Sequence, residues 1–91
     1  MIRRIAEIDT LPNLRLRVRF DDRKVVVYDV ADDMRDIPSY APLESLEGLF
    51  DQVKLDESRT CVYWNDEIDL PSDAIYDYGK EVYPMQVDRI P

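Results

Sequence analysis

The sequence predicts an α+β domain: a small antiparallel sheet from two β-hairpins plus an N-terminal strand, with two or three short helices. Three observations carry this. Leu14, Leu16, Val18 and Phe20 alternate strictly with Arg15, Arg17 and Arg19, the period-two pattern of a half-buried strand. A β-branched and aromatic run over 24–30 follows the turn Asp21-Asp22-Arg23, and a second such pair, 52–55 and 60–64, flanks Asp56-Glu57-Ser58-Arg59. Elsewhere, short helical patterns open at prolines and close near the two glycines.

In chain order, residues 2–8 read as a strand with Ile2, Ala6 and Ile8 on one face and Arg4 interrupting it. Thr10, Pro12 and Asn13 supply turn chemistry. The first hairpin has a register that side chains decide. A three-residue loop over 21–23 sets Phe20 opposite Lys24, Val18 opposite Val26, Leu16 opposite Tyr28 and Leu14 opposite Val30. It also pairs Arg15 with Asp29 on the outer face. A two-residue loop would oppose Leu16 to Asp29 and bury a charge, so the longer loop is preferred.

Residues 31–36 suit a helical turn that Pro38 ends. Leu43, Leu46, Leu49 and Phe50, with Pro42 before them and Gly48 near the end, predict a helix of about two turns. In the second hairpin Val53, Leu55, Val62 and Trp64 face inward, and Lys54, Cys61 and Tyr63 outward. Asn65-Asp66 is a turn, and 67–70 is extended because Pro71 biases Leu70 away from helix. Residues 71–78 predict a last helix with acids in its first turn and Gly79 placed to stop it. Residues 80–91 lack a period and read as an extended tail, leaving one domain over 1–79.

Composition narrows function by exclusion. A chain of 91 residues makes one domain, burying roughly 60–65% of its unfolded surface. The single cysteine, Cys61, rules out an internal disulfide, and with no histidine the usual zinc and copper ligands are missing. No Walker loop, dinucleotide fingerprint or serine-hydrolase elbow occurs, and two glycines cannot build a phosphate cradle. No cofactor is expected. A net charge of −8 repels phosphate backbones, so the domain by itself is not expected to bind nucleic acid. The polar N-terminus does not read as a signal peptide, and no apolar run suits a membrane span, so a cytoplasmic location is expected.

The order of elements and their residues resembles the bacterial domain-of-unknown-function family numbered 2442. The first half carries the resemblance on Leu16-Arg17-Val18-Arg19-Phe20, Asp22 and Tyr28-Asp29-Val30. The second half carries it on Phe50, Val53, Leu55, Asp56, Val62, Trp64, Asn65, Ile68, Asp69, Leu70, Pro71, Asp73, Ile75 and Tyr76, so that it spans roughly residues 2–78. Asp22-Arg23 stands where the family usually has Asp-Gly, which bears on the turn, and the tail past Gly79 lies outside the pattern. The resemblance implies no established activity. It implies partners in small two-gene modules of toxin–antitoxin type for some members, and an appended helix-turn-helix for others; no such motif is read in these residues, so DNA reading is not expected to carry over.

Two sets of residues are candidate sites. Arg15, Arg17 and Arg19 line one strand face, and guanidinium forks pair well with carboxylates, so this row, with Tyr63, is the candidate partner-binding surface. If Val25 and Val27 flank the row, that face is apolar enough for contact. A solvated face neutralised by Asp29 and Glu7 is the simpler reading. Asp66, Glu67, Asp69 and Asp73 are the densest carboxylates and the candidate hard-cation or acid–base site, against a plain role in a turn and a helix start. Trp64 reads as core; Tyr40, Tyr63, Tyr76, Tyr78 and Tyr83 suit either an aromatic patch or core-edge packing. Cys61 has no histidine base and reads as a small strand residue.

The expectation is therefore a noncatalytic protein-interaction module of antitoxin type or a homo-oligomer, with a small basic protein encoded nearby as the expected partner. A carboxylate-based metal-binding domain or small enzyme is the alternative.

Overall fold

The computed structural model describes residues 3–82. Its first sheet holds β1 (Ile5–Leu11), β2 (Arg15–Phe20), β3 (Val25–Asp29) and β7 (Lys80–Val82), in that spatial order. The second holds β4 (Lys54–Leu55), β5 (Cys61–Asn65) and β6 (Ile68–Pro71). Every strand pair is antiparallel. The helices are short: α1 (Val30–Met34), α2 (Pro42–Ser45) and α3 (Ser72–Tyr78), with 3₁₀ turns at Pro38–Tyr40 and Phe50–Gln52. The mixed α+β class predicted from the sequence holds, but its strands form two sheets, not one.

The first hairpin has the register that the side chains demand. Arg15 lies opposite Asp29, Leu16 opposite Tyr28 and Val18 opposite Val26. Phe20 N–H donates to the Lys24 carbonyl and Arg23 N–H returns to Phe20. The three-residue loop closes because Arg23 takes a left-handed φ of 76°. The turn geometry expected of Asp-Gly is thus kept at a residue that has a Cβ. Leu14, expected in the strand, sits just before it in the β1–β2 turn, where Asn13 and Leu14 have φ of 66° and 57°.

Other expectations are corrected. A bulge in β1 between Ile5 and Glu7 makes Ile5, not Ala6, the fully buried residue, and the strand runs on to Leu11. The helix expected through Leu43, Leu46, Leu49 and Phe50 breaks after Ser45. Leu46 is extended, and Leu49 N–H donates to the Leu46 carbonyl across Glu47-Gly48, with Gly48 at φ 82°. Glycine in that third position supplies the positive φ that the Leu46–Leu49 turn requires. Leu46 therefore points out, 57% exposed. The tail expected from residue 80 begins instead as β7, with Val25 opposite Val82 and Val27 opposite Lys80. Gly79 has φ −70°, so it serves not as a left-handed stop but as a close approach: a Cβ there would meet the Ile75 carbonyl at 2.6 Å and Val26 at 3.1 Å. Residues 83–91 of the expected tail, Tyr83 among them, lie outside the described residues.

One core joins both sheets and the helices. Ile5, Leu16, Val18, Phe20 and Val26 from the first sheet meet Val62, Trp64, Ile68 and Leu70 from the second, with Val30, Leu43, Phe50 and Ile75 between them. Trp64 stacks on Phe50 at 5.7 Å between ring centroids and donates its indole N–H to the Phe50 carbonyl at 2.9 Å. The indole is thus core with its one polar atom satisfied.

Candidate interaction surface

The outer face of the first sheet is a ladder of mixed charge. Arg17 and Arg19 of β2 stand opposite Asp9 and Glu7 of β1 and reach them at 2.9 and 3.5 Å. Arg15 donates from Nε to the Pro12 carbonyl at 3.0 Å. Its expected cross-strand partner, Asp29, holds the register position, but its carboxylate accepts the Ala31 N–H at 3.0 Å and caps α1. Arg17 and Arg19 of the row are therefore interleaved with carboxylates from β1. Val25 and Val27 flank it as expected, opposite Arg19 and Arg17.

Tyr63 lies on the other sheet, opposite Lys54 and Asp69, so the fold does not bring it to the arginine row. The four carboxylates of the second set are not gathered either. Asp66 and Glu67 occupy the β5–β6 turn, Asp69 lies exposed on β6, and Asp73 is exposed in the first turn of α3. Among the described residues no three His, Cys, Asp or Glu side chains form a group able to hold a metal ion. Proximity in sequence scatters them because alternate strand residues face opposite ways and the helix start redirects the chain.

The local polar groups are engaged in shaping turns. Asn65 Oδ1 accepts the N–H groups of Glu67 and Ile68. Asp56 Oδ1 accepts those of Thr60 and Cys61, and Oδ2 takes the Ser58 hydroxyl at 2.7 Å. These bonds, the Ser58 hydroxyl first, hold the Asp56 carboxyl below its usual pKa. Tyr40 is buried and donates its hydroxyl to the Asp69 carbonyl. Burial, ahead of Asp33 and Asp69, pushes Tyr40 up to about 12. Burial likewise raises the pKa of Tyr28, which donates to Asp33. The Cys61 thiol is raised chiefly by burial, which favours the unreactive protonated form.

Two contacts across the molecule had no local signal. Tyr76 of α3 donates to Asp22 in the β2–β3 turn at 2.6 Å, packs edge-on against Phe20, and lies under both Arg3 and Lys24 at 3.9 Å from its ring centroid. The bond to Asp22 raises the Tyr76 pKa and, as its leading cause, lowers that of Asp22. Arg59, in the β4–β5 loop, makes a two-pronged bond to Asp21 and accepts the Ile5 N–H at its carbonyl. In the sequence Asp21, Asp22 and Arg59 read only as turn residues and Tyr76 as a helix residue, with nothing local to pair them.

Charge is divided along the chain. Residues 3–28, mostly the first three strands, hold seven basic and four acidic residues, net +3. Residues 29–82 hold four basic and fifteen acidic residues, net −11. The exposed large apolar side chains Leu46 and Tyr78, 57% and 82% exposed, both fall in the acidic part.

A family model described as "Protein of unknown function (DUF2442)" matches residues 5–81. The chain belongs to this family. The match reaches β7, three residues past the extent read from the sequence. Several second-half residues that carry the family pattern, Asp56, Trp64 and Asn65 among them, are those whose side chains bind backbone and hold loops. No curated protein and no solved structure matches the chain. Among the described residues no helix is long and apolar enough to cross a membrane.

Proposed function

We propose that this DUF2442 domain is a noncatalytic protein-interaction module of antitoxin type, acting in the bacterial cytoplasm on a small basic protein. The division of charge carries the reading. Fifteen carboxylates against four basic residues over 29–82, with Leu46 and Tyr78 exposed among them, combine a negative field with apolar footholds. The absence of histidine and the raised Cys61 pKa support a role without catalysis. The dispersal of Asp66, Glu67, Asp69 and Asp73 argues against the metal-dependent alternative.

Co-expression with the products of the adjacent genes, followed by gel filtration at low and high salt, tests this. A complex with a basic neighbour that dissociates as salt rises is expected, because screening weakens exposed charge pairs. Elution apart from every such neighbour at low salt would count against the reading.

A further inference from the structure

We propose that the open edge of β1 accepts an extended strand from a partner whose side chains alternate between basic and apolar; this rests on the interaction-module reading above. Among the described residues β1 pairs with β2 alone. The bonds from Phe20 N–H to Lys24 and from Val30 N–H to Leu14 show that even-numbered β2 residues turn their backbone groups toward β3. The odd-numbered ones, Arg15, Arg17 and Arg19, therefore bond to Leu11, Asp9 and Glu7. That leaves the N–H and C=O of Ile8 and Thr10 directed out of the sheet. The other end of this edge is closed, since Ile5 N–H donates to Arg59 at 2.7 Å. Beyond it the strand stays in regular register from Glu7 to Leu11, a template for strand addition.

Side chains choose the occupant. Glu7 and Asp9 lie on the outer face with 58% and 45% of their side chains exposed, so an added strand gains by placing Lys or Arg beside them. Ile8 and Thr10 alternate with them, half-buried on the core side, and suit apolar neighbours. The strand that β1 already accepts, Arg15-Leu16-Arg17-Val18-Arg19-Phe20, has this pattern. A second copy does not fit: β1 against β1 sets Glu7 and Asp9 beside their own kind, between chains of net charge −8.

The test titrates the full chain, followed by amide NMR, with a synthetic peptide Arg-Leu-Arg-Val-Arg-Phe and its glutamate counterpart Glu-Leu-Glu-Val-Glu-Phe. The expected result is shifts confined to β1 and at least about tenfold tighter binding of the arginine peptide. Thr10→Pro, which removes one outward N–H at an edge where proline is tolerated, should weaken it by about tenfold or more. If that variant fails to fold, the double substitution Glu7→Gln, Asp9→Asn leaves the backbone intact and should bring the two peptides to near-equal affinity. Arginine-peptide binding that maps to residues 29–52 and ignores these substitutions overturns the edge site while leaving the interaction module standing. No binding of either peptide also overturns the edge site, and the module is then judged on the co-expression result alone.

Discussion

Arg59 and Asp21, 38 residues apart, meet in a fork of two hydrogen bonds at 2.8 and 2.9 Å, tying the second hairpin's loop to the first hairpin's turn. The Arg59 backbone adds the bond from Ile5, so one residue links the two sheets at their shared end. Both side chains are over 40% exposed, which limits the pair's worth. We expect a double-mutant cycle of Arg59→Ala and Asp21→Ala in urea to give a coupling of about 0.5–1 kcal/mol. Arg59→Lys should lose most of it, because an ammonium cannot form the fork. A coupling of zero would mean that the fork adds nothing to the Ile5–Arg59 backbone bond and the shared core.

Arg23 closes its hairpin at φ 76°, where a side chain is strained. Arg23→Gly should raise stability by about 1 kcal/mol, since the left-handed penalty exceeds the entropy that glycine adds to the unfolded chain. Arg23→Ala keeps the strain and should show no such gain. Equal midpoints for the two variants in thermal melts would remove strain as the explanation.

The two glycines should fail differently. Gly79→Ala keeps an ordinary φ but drives a Cβ to 2.6 Å from a backbone oxygen, costing about 1–3 kcal/mol. Gly48→Ala meets no atom within 4 Å but must hold φ at 82°, a cost of about 1 kcal/mol. Replacing Gly48 by Asn, which tolerates that region, should recover part of the loss, whereas Gly79→Asn should be worse than Gly79→Ala.

Stability should fall at both ends of the pH scale. The lowered pKa values of Asp22 and Asp56 favour the folded state above the ordinary aspartate value of 3.8, and this contribution is lost as pH falls through their folded values. Tyr40 has the opposite sign. Its pKa is raised from 10.0 to about 12, so its contribution is complete below pH 10 and lost as pH climbs toward 12. Melting temperatures across pH, with tyrosinate absorbance on the alkaline side, check this. Tyr40→Phe should shrink the alkaline loss and cost about 1 kcal/mol at neutral pH through the lost bond to Asp69. An unchanged alkaline limb in that variant would assign the loss to other tyrosines.

Local pattern was enough for most strands and for one register. The alternation of Leu16, Val18 and Phe20 with three arginines, and the cost of burying Asp29, decided the first hairpin, because side-chain period and turn length act over neighbouring residues. The inward set Leu55, Val62 and Trp64 was legible for the same reason. Tertiary structure alone decided that the strands form two sheets, that β7 joins β3, and that Arg59 meets Asp21. Those outcomes depend on contacts between distant residues, which no local period encodes. The break at Leu46 belongs with them: its spacing fits a helix, but the chain turns at Gly48 and leaves Leu46 in solvent. The candidate sites divide the same way. An outward-facing arginine row could be read from alternation, while its interleaving with Glu7 and Asp9 and the edge left open among the described residues follow from β1 folding back along β2. The acidic run near Trp64 was dispersed for the complementary reason: a strand and a helix send neighbouring side chains in different directions.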